Sequence, residues 1–236
     1  MDDWQYEPLT DVPADLLASN SRLMNGLRNL VYRVMGWWLR SRFHFDVEGA
    51  EIPASLPHFV LIANHSSHAD TVALLAALSP AQRNRCYSAA AEDYFYTNPF
   101  KKWGARILAN TFPFRRRGGT NQSLQACARI LERGDSLIFY PEGTRSVDGA
   151  LQPFRKGIGL LVQGTDFPVV PAYIDGAHRV LAKGRVVPRA AKIRVRFGAP
   201  ERFAAFAKDE ESAVAIAEHL HERVRALAPS TEDRDG

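Results

Sequence analysis

Two nearly unbroken apolar runs, Phe59-Val60-Leu61-Ile62-Ala63 and Ser136-Leu137-Ile138-Phe139-Tyr140, constrain this chain more than any other feature. A strand with one wetted face alternates polar and apolar residues. A run that stays apolar needs cover on both faces, which points to the interior of a sheet held between helices. Both runs stop abruptly, at Asn64-His65-Ser66-Ser67-His68-Ala69-Asp70 and at Pro141-Glu142-Gly143-Thr144-Arg145-Ser146. In open α/β sheets ligands bind where strands end, so these corners are the first candidates for chemistry.

The rest of the chain supplies a sheet of this kind with partners. Residues 43–49 alternate before a glycine and predict a first strand. Residues 86–91 predict a short third one, and 167–174 predict a strand whose prolines suggest an edge or a bulge. From Lys192 to Phe197, alternation sends Ile193, Val195 and Phe197 inward and Arg194 and Arg196 outward. Helices are predicted over 71–78, over 124–131 with Gly134 as its stop, near 158–162 and over 209–227. The aromatics Tyr94, Phe95 and Tyr96, with Phe100 and Trp103, read as core or as the wall of an apolar pocket. A chain of 236 residues, 46% hydrophobic and without an internal linker, buries one substantial core. The domain is expected to span 43–228, after an extension at 1–20 and a helix at 21–42, with a polar tail at 229–236.

That first helix has its own character. From Ser21 to Phe45 there is no acidic residue, while Arg22, Arg28, Arg33, Arg40 and Arg42 supply positive charge. Leu23, Leu27, Leu30, Val31, Val34, Trp37 and Trp38 fall on one helical stripe, flanked by Arg22, Arg33 and Arg40. A basic amphipathic helix with paired tryptophans suits the headgroup region of a membrane, where each arginine contributes about 1 kcal/mol against anionic lipid. Packing on the domain is the other reading, and both hold if different faces do the two jobs. No stretch has the roughly 18 to 20 apolar residues of a spanning helix. Met1 to Asp15 is acidic and proline-containing, so no signal peptide is expected. Cys86 and Cys127 lack metal or redox spacing, which favours a reducing compartment.

At the first corner, a carboxylate that takes the proton of one imidazole nitrogen leaves the other free to accept a proton from a hydroxyl. Asp70, about one turn beyond His65 at a helix start, can reach back to do this. A plain helix cap beside a surface histidine is the competing reading of these two residues alone. As a metal site, His65, His68 and Asp70 lack a second cluster of ligands. A serine-nucleophile elbow, a Walker loop and a dinucleotide fingerprint are all missing. At the second corner Gly143 permits a tight turn, Thr144 and Ser146 offer hydroxyls and Arg145 a guanidinium. A third basic segment, Arg115-Arg116-Arg117, follows the proline-stiffened Phe112-Pro113-Phe114. An arginine held in a fixed direction there suits phosphate, and the helix opened by Thr120 or Asn121 adds backbone donors.

Taken in order, these blocks resemble those of the glycerolipid acyltransferases, typified by 1-acyl-glycerol-3-phosphate acyltransferase. Asn64-His65 through Asp70 matches the family's His-x4-Asp motif, and 112–116 resembles its arginine block. Pro141 through Ser146 matches its third block, and Val170-Pro171 resembles its fourth. The resemblance covers about residues 45 to 200. It implies a single α/β domain with a mostly parallel mixed sheet of about seven strands flanked by helices. It also implies acyl transfer from acyl-coenzyme A or acyl-carrier protein to the free hydroxyl of a lysophospholipid. His65 would act as base with Asp70 orienting it, and no metal or other cofactor is expected. The backbone of Gly143 and nearby amides are candidate donors to the oxyanion. The resemblance assigns the acceptor's phosphate to Arg115 or Arg116 together with Glu142, Gly143, Thr144 and Arg145. The family often places an acidic residue just before its arginine, whereas three arginines stand here, and Arg116 fits the position best. Members with spanning helices are common, but this chain offers only its amphipathic stretch. The expectation is therefore a peripheral protein on the cytoplasmic, inner face of a membrane, touching anionic lipid through 21–42 and no nucleic acid. A non-glycerol acceptor such as a lyso-ornithine lipid, or a lipid-binding relative without catalysis, is the alternative reading.

Overall fold

The computed structural model describes residues 21–91, 99–114, 120–182 and 189–229. Within them one sheet has seven strands: β1 (Asp46–Glu48), β2 (Val60–Ala63), β3 (Cys86–Ala91), β4 (Thr111–Phe114), β5 (Ser136–Phe139), β6 (Val169–Asp175) and β7 (Arg194–Phe197). Their order is β1-β7-β6-β2-β5-β3-β4. The pairs β6·β2, β2·β5, β5·β3 and β3·β4 are parallel, whereas β7 is antiparallel to β6 and parallel to β1. A mostly parallel mixed sheet is thus what the chain forms.

Helices cover both faces, named in chain order α1 (Arg22–Phe43), α2 (Glu51–Ala54), α3 (Ala69–Ala77), α4 (Pro80–Asn84), α5 (Pro99–Ala109), α6 (Thr120–Glu132), α7 (Gly157–Val162), α8 (Ala177–Val180) and α9 (Glu210–Arg225). The unbroken apolar run of β2 is what two covered faces demand. Leu61 and Ala63 pack into one core with Leu74 and Leu75 of α3. Val60 and Ile62 pack into the other with Leu124 and Ile130 of α6 and Ile216 and Leu220 of α9. On this second side α7 and α9 approach so closely that a Cβ at Gly159 would stand 2.0 Å from the carbonyl oxygen of Ala213.

Two local expectations are corrected. The run 167–174 is no edge: β6 lies between β2 and β7. A strand residue points its N–H and C=O to the same side, and the Pro171 carbonyl accepts from the Gly198 amide on the β7 side. The missing N–H therefore faces Gly198 at the end of the β6·β7 ladder, beyond Ala172↔Phe197, and costs only the last bond of that ladder. The first strand does not begin at 43 either, because α1 runs on to Phe43. His44, at φ 44°, turns the chain before β1. Farther on, Ile193, Val195 and Phe197 are buried and Arg194 and Arg196 half-exposed, as the alternation requires.

The stripe on α1 divides between two surroundings. Tyr32 is buried, and Leu27 and Val31 are half-buried. Leu23, Leu30, Val34 and Trp37 point outward, at 82, 56, 60 and 73% exposure. Arg28 is not a surface charge at all. It is fully buried, with Nε donating to the carbonyl of Ile107 at 3.0 Å and Nη2 to that of Arg106 at 2.9 Å. The Tyr32 hydroxyl donates to the carbonyl of Leu108. The last carbonyls of a helix lack intrahelical donors and carry partial negative charge. Arg28 and Tyr32 satisfy those of α5, fastening α1 to the helix that leads into β4. Residues 1–20, the Tyr94–Tyr96 cluster, Arg115 to Gly119 and 230–236 lie outside the described residues.

Candidate active site

The carboxyl ends of β2, β5 and β6 lie side by side, since Ile62 pairs with Phe139 and with Pro171. Asn64 extends β2 by one step with its side chain. Its amide nitrogen donates to the Ile174 carbonyl at 3.0 Å, and its amide oxygen accepts from the Ile174 N–H at 2.8 Å. Held in this way, the chain turns at His65, and the helix α3 starts with Asp70 in its first turn.

Asp70 is completely buried. One of its oxygens, Oδ2, accepts from the amides of Ser66 and Ser67, each at 2.7 Å, and stands 2.9 Å from Nδ1 of His65. An oxygen surrounded by two N–H donors has no room for a proton of its own, so the hydrogen in the third bond belongs to the imidazole. This sets the tautomer of His65, with Nδ1 protonated and Nε2 carrying a lone pair. Nε2 has no hydrogen-bond partner among the described residues, and the side chain is 18% exposed. The helix-cap reading fails here, because Asp70 caps the loop through the histidine rather than beside it.

The imidazole has a second restraint. Tyr140, the residue after β5, stacks on it at 3.9 Å between centroids and 15° between planes. The Tyr140 hydroxyl is itself bonded to Thr71 at 2.9 Å. The peptide of His65 is held at both ends as well: its N–H donates to Oε1 of Glu142 at 2.9 Å, and its carbonyl accepts from the Ser146 N–H at 2.8 Å. Glu142 is buried, and burial, the largest influence on its carboxyl, pushes it up to about 8. His68 is pushed the other way, to about 4, by burial first and then by the charge of Arg145.

Of the residues singled out in the sequence, His65, Asp70, Glu142, Gly143, Thr144 and Arg145 converge on one corner. Glu142 faces inward to the His65 amide. Gly143 turns at φ 75°, and its N–H is committed to the Tyr140 carbonyl at 3.1 Å, which removes it as an oxyanion donor. Thr144 is exposed and Arg145 half-buried. Arg115 and Arg116 are outside the described residues, but β4 leads towards them, and its last residue, Phe114, packs edge-on against Phe139 at 6.0 Å. The sequence reading missed the roles of Asn64, Tyr140 and Thr71. Tyr140 carried a usable signal: it closes an apolar run at the same strand depth as the histidine corner.

An imidazole held on a buried carboxylate, with its second nitrogen open, at the carboxyl edge of an open α/β sheet, is the kind of site that can accept a proton. The comparisons with known proteins give that class its family: the Acyltransferase model matches residues 44–175, and the chain belongs to this family. The chain is 31% identical over 142 residues to a chloroplastic 1-acyl-sn-glycerol-3-phosphate acyltransferase of Brassica napus, covering 59% of this chain and 39% of that protein. It is 27% identical over 173 residues to the 1-acyl-sn-glycerol-3-phosphate acyltransferase of Bacillus subtilis, covering 72% of this chain and 80% of that one. Its fold matches the crystal structure of the Thermotoga maritima 1-acyl-sn-glycerophosphate acyltransferase with a TM-score of 0.63 and 26% identity, covering 88% of this chain and 81% of that chain. The chain thus spans about two fifths of the plant relative and most of the two bacterial ones.

Proposed function

We propose that this protein transfers a fatty acyl group from a thioester, acyl-coenzyme A or acyl-carrier protein, to the hydroxyl of 1-acyl-glycerol-3-phosphate, giving phosphatidic acid. The observation that carries the reading is the single oxygen of Asp70 that collects two amides and the His65 Nδ1–H. It leaves Nε2 as an aligned base. As the acceptor hydroxyl attacks the thioester carbonyl carbon, Nε2 takes its proton. When the tetrahedral intermediate collapses, the C–S bond breaks and the imidazolium returns the proton to the departing thiolate. Ester and free thiol result, with no acyl-enzyme and no cofactor beyond the donor. The test is to incubate the purified protein, wild type and His65→Ala, with acyl thioesters and a panel of lysolipids and to identify products by mass. Thiol release that does not depend on His65 would reject the mechanism.

Arg145 supports a phosphate-bearing acceptor, since it stands on the turn that braces His65, and Arg115 or Arg116, next in sequence after β4, is the second residue we assign to that phosphate. A charge-assisted hydrogen bond of about 1.5 to 3 kcal/mol corresponds to roughly 10- to 100-fold in binding, so Arg145→Ala should raise the acceptor's KM by that order and leave the donor's nearly unchanged. Equal changes in both would sink the assignment.

Access to lipid is through α1. Its outward residues Leu23, Leu30, Val34 and Trp37 form an apolar face, and Trp103 on α5, which packs against α1, is also 59% exposed. Among the described residues no helix is long and apolar enough to cross a membrane. A peripheral position on the inner membrane face suits this surface, and the two buried free thiols suit a reducing compartment. The protein should float with anionic liposomes, and Trp37→Ser combined with Leu30→Ser should weaken flotation. Failure of the wild type to float at any salt concentration would count against a membrane surface.

A further inference from the structure

Arg155 belongs to none of the four sequence blocks. In the sequence, Phe154-Arg155-Lys156-Gly157 reads only as the approach to α7. The structure folds this segment back onto the Glu142–Arg145 turn: the Arg155 N–H donates to the Pro141 carbonyl at 3.0 Å, at the very start of that turn. The side chain then runs across Gly143. A Cβ on Gly143 would stand 2.9 Å from Nε, 3.1 Å from Cδ and 3.3 Å from Cζ of Arg155. Gly143 thus has two reasons to be glycine, its positive φ and the guanidinium stem seated where a side chain would project.

The two basic residues here have different partners. Lys156 is committed to Glu210 of α9, with Nζ–Oε1 at 2.5 Å. Arg155 is exposed, and among the described residues its guanidinium makes no hydrogen bond and no ion pair. The carboxylate nearest in sequence to its seat, Glu142, is turned inward onto the His65 amide. A guanidinium fixed by its stem on a backbone turn, with its donors unspent, is prepared for an oxyanion rather than for the protein.

We propose that Arg155 is a phosphate-binding residue of this site, taking the phosphate of one of the two substrates over the Gly143 turn. This rests on the acyl-transfer reading above. The phosphate has two possible sources, the headgroup of the acceptor and the phosphopantetheine arm of the donor, and they separate kinetically. Arg155→Gln should raise the KM of one substrate by about tenfold while the other KM and kcat stay near the wild-type values, and Arg155→Lys should restore part of the loss. A rise in the acceptor's KM assigns the headgroup. A rise in the donor's KM that vanishes with a phosphate-free acyl N-acetylcysteamine thioester assigns the donor. Both KM values unchanged, or a fall in kcat alone, overturns the proposal.

A second arm needs no turnover. In the His65→Ala background, equilibrium binding of coenzyme A and of 1-acyl-glycerol-3-phosphate is compared with and without Arg155→Gln. About tenfold weaker binding of one ligand supports the assignment, and equal binding of both rejects it. Absence of acyl transfer by the wild type would reject the functional reading, and this binding arm would still decide the role of Arg155.

Discussion

Replacing His65 with alanine should lower kcat by about 100- to 10,000-fold, the range that one well-placed general base supplies, with both KM values little changed. The fold should survive, because the imidazole is partly exposed and the hydrogen bonds of its backbone N–H to Glu142 and of its carbonyl to the Ser146 N–H are kept. Asp70→Asn should cost a comparable factor for a different reason. The carboxylate oxygen accepts from two amides and from Nδ1–H, and an asparagine can turn its NH2 towards the ring and favour the tautomer protonated on Nε2. Initial rates of thiol release, with circular dichroism as the control on folding, measure both. A His65→Ala enzyme within about threefold of wild type would remove the base from the mechanism.

That centre was only half legible in the sequence. His65 and Asp70 could be paired because their spacing at a helix start puts them within reach through local geometry alone. Glu142 was visible as an unusual residue at a strand's end, but its role depends on β2 and β5 being neighbours, and strands 77 residues apart do not announce their pairing. Grouped in the sequence with the residues expected to hold a phosphate, it read as one more polar group on the turn. In the fold it braces the backbone of His65. The same limit applied to β6. Two prolines argued for an edge, and only the register with Gly198 shows that the missing N–H falls at the last pair of the β6·β7 ladder, where it interrupts nothing beyond. The apolar runs, by contrast, were informative because covering both faces is a property of the strand itself. Composition misled in one place: Arg28 counts as positive charge on a basic helix, yet it is consumed by carbonyls of α5 that no local pattern predicts.

The Glu142 brace gives a prediction in which pH and mutation test each other. Burial pushes its carboxyl from the ordinary value of 4.5 up to about 8, so the folded chain holds the proton more tightly than the unfolded one. The stability this gives is fully present below about 4.5, erodes as pH rises from 4.5 towards 8, and is lost above about 8, where the buried group is charged. Glu142→Gln keeps an oxygen to accept the His65 N–H and cannot ionise. Its melting temperature should therefore lack the loss that Glu142 causes in that window, matching wild type near pH 5 and exceeding it near pH 8.5. Glu142→Ala removes the acceptor and leaves the His65 N–H unpaired, a loss of about 1 to 3 kcal/mol near pH 5, where the wild-type carboxyl is protonated, that shrinks above pH 8, where the wild type itself carries the buried charge. It should also reduce kcat by about 10- to 100-fold, because freeing the His65 peptide misplaces the base against the substrate hydroxyl. The glutamine variant should stay within a few-fold of wild type, since it retains that hydrogen bond. Thermal melts at the two pH values, together with kcat for both variants, separate charge from positioning. Equal losses of kcat in the two variants would mean that the carboxyl acts on the substrate rather than through the backbone of His65.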